Sequence, residues 1–157
     1  MVENALQRIE ERLVSIDVTK LVEYTKKIKE IGTINKMMAP VYLRDFIIAY
    51  DVTNSMLSQA IRFDLETAAA LDTARSIAYL DKAGDYLKTK GIKESSEARK
   101  QYVDIDETVI RAANTRAKTQ ALVSFLKNKM QEFRLAHDDV KKIAYGEQYM
   151  SPDEGIN

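Results

Sequence analysis

The side chains in this sequence that could do chemistry are few, and their types suit binding better than catalysis. There is no cysteine and a single histidine, and the chain has no glycine-rich phosphate loop, no Gly-x-Ser-x-Gly and no His-Glu-x-x-His. His137 comes one helical turn after Phe133 and beside Asp138, the setting of a packed histidine satisfied by a carboxylate. Glu132 and His137 are five positions apart, which does not match the Glu-x-x-His of di-iron bundles, and there is no second copy. No catalytic residue, metal or cofactor is therefore expected. What stands out is a concentration of cations: Lys88, Lys90, Lys93, Arg99 and Lys100 against Glu94 and Glu97, with Tyr79, Tyr86 and Tyr102 on either side. Lysines and arginines neutralise backbone phosphates, and tyrosine faces stack on unpaired bases without regard to sequence. The same residues have a plainer use, since tyrosines at helical spacing also pack and lysines also solvate a surface.

These groups have to be held by helices. Apolar residues make up 45% of the chain and charged ones 31%, with only five glycines and two prolines, which fits long amphipathic helices and an all-α class. The organising stretch is 106–145, free of proline and glycine, with Asp106 as N-cap, Lys141 and Lys142 in the last turns and Gly146 at the stop. Its apolar residues, among them Val109, Ala112, Val123, Leu126, Met130, Phe133 and Val140, recur close to a heptad. Thr119 and Arg116 make the first half of that seam more polar. Near the start, Leu6, Ile9, Leu13 and Ile16 form a short seam, too brief to be stable alone, that docks on its own domain or on another copy.

Asp17 or Thr19 caps a second helix, whose lysines Lys20, Lys26, Lys27 and Lys29 read mainly as a solvated face. From Pro40 a helical pattern continues to Lys90, with Leu43, Phe46, Ile47, Tyr50, Leu57, Ile61, Leu65, Ala68, Leu71, Ile77, Leu80 and Leu87 as core positions. Its weakest steps are Val52-Thr53 and Phe63-Asp64. Gly84 is a tolerated flaw and Gly91 the C-cap; Ser95 or Ser96 opens a short helix that ends at 104–106. The expected architecture is one elongated helical domain over 1–146 that assembles through coiled-coil-like packing, followed by a flexible acidic tail over 147–157. No apolar run is long enough for a membrane span and no signal peptide is visible, so a soluble cytoplasmic protein is expected.

Three patterns together resemble a family: Ile16-Asp17-Val18-Thr19-Lys20-Leu21; Lys82-Ala83-Gly84-Asp85-Tyr86-Leu87 leading to Gly91; and the carboxy-terminal helix with its Phe133-Arg134 pair. They are similar to the UvsY-like recombination mediators of tailed phages, over about residues 16–143 and with a longer middle. The resemblance implies a non-enzymatic homo-oligomer that binds single-stranded DNA, helps displace the single-strand-binding protein and loads a recombinase. It carries a basic DNA-binding role onto Lys82, Lys88, Lys90 and Lys93 with Tyr86, which Arg99 and Lys100 extend. Gly84 and Asp85 depart from the denser charge of that motif. Leu6, Ile9, Leu13, Leu126, Met130 and Phe133 are the expected oligomerisation residues. The competing expectation is a helical protein–protein adaptor, such as a phage assembly or anti-defence factor, that does not bind nucleic acid.

Overall fold

The computed structural model describes residues 1–146; the expected acidic tail, 147–157, lies outside the described residues. Among the described residues there are helices and no strands, so the chain is all-α. The order is α1 (Val2–Val14), a 3-10 turn (Val18–Leu21), α2 (Val22–Glu30), a second 3-10 turn (Ile31–Thr33), α3 (Ala39–Ile77), a π turn (Ala78–Lys82), α4 (Ala83–Thr89), α5 (Ser96–Ile105) and α6 (Glu107–Tyr145). No helix among the described residues is long and apolar enough to cross a membrane.

Local chemistry accounts for most of the boundaries. Asp17 accepts from the Thr19 N–H at 3.0 Å and from its hydroxyl, which caps the first 3-10 turn. Asn35 Oδ1 accepts from the N–H groups of Met37 and Met38 at 3.0 and 3.1 Å and so leads the chain into α3 ahead of Pro40. Gly91, at φ +67°, closes α4: its N–H reaches Lys88 O at 3.1 Å and Ile92 N–H reaches Leu87 O at 2.9 Å. Gly146, at φ +83°, ends α6 with a 2.9 Å bond to Lys142 O.

α3 runs unbroken through both of its weakest steps. Thr53 is buried but donates to Ala49 O at 2.7 Å, so its hydroxyl is satisfied inside the helix, and Phe63 packs inward at 3% exposure. The buried face includes the expected Phe46, Leu57 and Leu71 but otherwise differs from the expected one. It runs through Phe46, Ala49, Thr53, Met56, Ala60, Phe63, Thr67, Ala70 and Ala74, alternately three and four apart, whereas Ile47 is 50% and Leu65 66% exposed. Small residues let neighbouring helices come close, so burial follows alanine and threonine here and leaves larger apolar side chains on the flank.

Contacts within the 1–146 span gather into two compact units, and α3 and α6 contribute to both. The first comprises Met1–Ile16 with Ser58–Val123. Val2 and Leu6 of α1 pack with Ala70, Leu71, Ala74 and Ala78 and with Val109 and Ala112 of α6. Around this core Glu10 accepts from Arg111 at 2.6 Å and from the Thr115 hydroxyl at 2.8 Å, and Arg12 lies 4.8 Å from the Phe63 ring centroid. The polar seam expected near Thr119 is a buried layer: Thr119 Oγ1 is 3.3 Å from Thr67 Oγ1 and 3.2 Å from Asp64 Oδ1. Each threonine hydroxyl also bonds a carbonyl of its own helix, Thr67 to Phe63 O at 2.9 Å and Thr119 to Arg116 O at 2.8 Å, so both are satisfied where they are buried.

The second unit comprises Asp17–Leu57 with the described residues from Ser124 on. Phe46 and Phe133 stack at 6.5 Å between centroids, and Tyr24 meets Phe133 edge-on at 6.2 Å. Leu21, Leu126 and Val140 are fully buried around them. Lys27, expected on a solvated face, pairs with the buried Asp45, and Lys26 pairs with Glu23 at 2.9 Å.

Candidate nucleic-acid interface

The basic elbow belongs to the first unit, where the π turn, α4 and α5 meet. In the π turn the N–H five residues on takes over the pairing, as Ala83 N–H does with Ala78 O, and the shifted carbonyls can accept a further donor. Arg99 is that donor. Its Nη1 donates to Tyr79 O at 2.6 Å and lies 3.4 Å from Leu80 O, while its Nε donates to Glu94 Oε1 at 2.8 Å. The guanidinium also lies 5.7 Å from the Tyr79 ring centroid, and a Cβ on Gly84 would sit 3.4 Å from its Nη2. α5 starts in the expected manner, with Ser95 Oγ accepting from Ala98 N–H at 3.1 Å.

Lys82 is also held by its own chain. Its Nζ donates to Asp106 Oδ2 at 3.0 Å, and the Tyr102 hydroxyl donates to the same oxygen at 3.1 Å. The other oxygen, Oδ1, accepts from the N–H groups of Thr108 and Val109 at 3.0 and 3.1 Å, capping α6. One carboxylate therefore fixes α5, α6 and the π turn. Burial alone would raise the Asp106 carboxyl, but the bonds from Lys82, the Val109 N–H and Tyr102 outweigh it and hold it below its usual range.

A carboxyl lowered in the folded state adds stability that is fully present above the unfolded value, near ~3.9, and is lost as pH falls through the folded value. The urea midpoint of the native chain is accordingly expected to fall as pH drops below about 4, and to fall less in Asp106→Asn. An equal acid-side loss in the variant would contradict this role for Asp106.

Of the seven residues expected to contact nucleic acid, Lys82 and Arg99 are thus committed to internal partners. Tyr86 packs on Tyr102, with ring centroids 4.8 Å apart, and Lys90 Nζ lies 5.9 Å from the Tyr86 ring centroid. Lys88, Lys90, Lys93 and Lys100 are exposed, and none forms an ion pair among the described residues. The elbow therefore carries four exposed lysines without ion pairs, on α4, the segment after it and α5, and Lys90 lies beside a tyrosine ring fixed by packing.

The expected oligomerisation residues divide differently. Leu6 and Ile9 are buried in the first unit, and Leu126 and Phe133 in the second; Leu13 and Met130 are half-buried. For Leu6 and Ile9, the alternative in which α1 docks on its own chain is the one adopted. His137 is half-buried, with Nδ1 3.8 Å from Asp138 Oδ1; burial and the nearby Lys141 hold its imidazole below the usual range. Among the described residues no group of three His, Asp or Glu side chains is arranged to hold a metal.

Local folding also explains the patterns behind the family resemblance. Asp17 and Thr19 form a cap, Lys82 neutralises Asp106, Ala83 and Leu87 are buried, and Gly91 closes a helix. Arg75 entered none of the sequence expectations, yet it lines an open groove beside the π turn together with Tyr79, Leu80 and Lys100. Only its distance in sequence from Lys100 hid it. Comparison with protein-family models, with curated proteins and with solved structures finds no match for this chain.

Proposed function

We propose that this chain is a non-enzymatic, single-stranded-DNA-binding protein that acts as a phage-type recombination mediator. The observation that carries the DNA-binding reading is the cluster of Lys88, Lys90, Lys93 and Lys100, exposed and without carboxylate partners, beside packed tyrosine rings at one elbow. Such a surface tracks a flexible phosphate backbone, and repetition of a weak site around a homo-oligomer gives avidity to a chain whose formal net charge is zero. Loading a recombinase in place of single-strand-binding protein, in the cytoplasm of a host cell, rests on the resemblance alone.

Self-association through coiled-coil-like packing is part of the same proposal. It draws on exposed apolar side chains on the long helices: Ile61, Leu65 and Ile110 in the first unit, and Ile47 in the second. Those side chains equally favour the second reading, an adaptor that binds partner helices and no nucleic acid.

Fluorescence anisotropy of a labelled, unstructured oligonucleotide, with duplex of the same length as competitor, tests the choice. The mediator reading expects binding at micromolar protein in low salt that duplex competes for poorly. Absence of binding under those conditions would leave the adaptor reading.

A further inference from the structure

Beside the lysine cluster the π turn opens a second feature, a groove of about 580 Å³ between the end of α3 and α5. Its volume lies in the range of small-ligand sites. Two cations reach it from different helices, Arg75 from α3 and Lys100 from α5, and neither forms an ion pair among the described residues. Its apolar surface comes from Val103 and from Leu80, which is 67% exposed on the π turn. The Tyr79 ring also lines the groove. It is held by Arg99, 5.7 Å from its centroid, and by a 3.1 Å bond between its hydroxyl and Ser96.

We infer that this groove is a subsite for one nucleotide of the single strand, with its phosphate between Arg75 and Lys100 and its base against Tyr79 and Leu80. Cations contributed to one groove by two helices suit one phosphate. Asp104, one turn beyond Lys100, offers an acceptor to a base amino group. The rigid tyrosine and the apolar Leu80 supply a sequence-tolerant surface for the base, which lysines alone do not provide. This subsite rests on the single-strand reading and adds a requirement for bases to it.

The test compares a single-stranded oligonucleotide with an abasic strand of equal length, using the native full chain, Leu80→Ser and Arg75→Gln. The native chain is expected to prefer the strand with bases by about fivefold or more, the low end of base-contact energies. Leu80→Ser should lower that preference measurably, the Tyr79 ring keeping the rest, while leaving abasic binding unchanged, and Arg75→Gln should weaken both strands. Both positions are exposed, so circular dichroism should show native helicity. If the native chain binds both strands equally, the groove proposal is overturned while single-strand binding stands. If the preference survives undiminished in Leu80→Ser, the bases contact another place and the proposal is likewise overturned. If neither strand binds, the single-strand reading fails and the subsite with it.

Discussion

Truncating Phe133 to alanine is expected to lower stability by about 3–5 kcal/mol, whereas Leu135→Ala, two positions on, should change it by no more than about 0.5 kcal/mol. The contrast follows from placement. Phe133 has no exposed surface, stacks on Phe46 and takes the edge of Tyr24, so its removal leaves a cavity under two aromatic rings. Leu135 is 54% exposed on the same helix. Phe133 is among the residues expected to join copies, and the packing holds it in a core within the chain. Urea unfolding gives the stability difference and light scattering the mass. A folded Phe133→Ala chain with near-native stability and a smaller mass would contradict the core role.

The second large effect concerns Lys88, Lys90 and Lys93. Replacing all three by glutamate is expected to weaken single-strand affinity roughly a hundredfold at low salt, taking about 1 kcal/mol for each lost lysine–phosphate attraction at the surface. The added negative charges act in the same direction. Because these side chains are exposed and unpaired, the variant should keep native helicity and oligomer mass. Reversing Lys82 instead would strip a partner from the buried Asp106, and lost binding could then not be separated from lost structure. Unchanged affinity in the triple variant, measured by anisotropy, would remove the elbow from the interface.

Short-range features of the fold could be read from the sequence because their causes are local. Asp106, Gly91, Ser95 and Gly146 each act within a few residues, and each ends or starts a helix where expected. Weighing large apolar residues found Phe46, Leu57 and Leu71 on the buried face of α3 but missed its small residues. Ala49, Ala60, Ala70 and Ala74 are chosen by how closely the next helix approaches, which depends on residues far away in sequence. The π turn has no signal of its own in Ala78–Lys82, and its donor, Arg99, stands twenty residues beyond Tyr79. The same distance problem affects the interface. Charge counting found the elbow, but Lys82 and Arg99 could be told from the unpaired lysines only once Asp106 and the carbonyls of Tyr79 and Leu80 were in place.

The central claim is that several phosphates of a single strand are neutralised at once by the elbow, and the salt dependence of affinity reads that number directly. For single strands the slope of log K against log salt is about −0.7 per phosphate contact, so Lys88, Lys90, Lys93 and Lys100 acting together should give a slope near −3 per chain. Titrations of the native full chain with an unstructured oligonucleotide from low to moderate salt are expected to return that slope. A slope near zero, or no binding at any salt, would contradict the account.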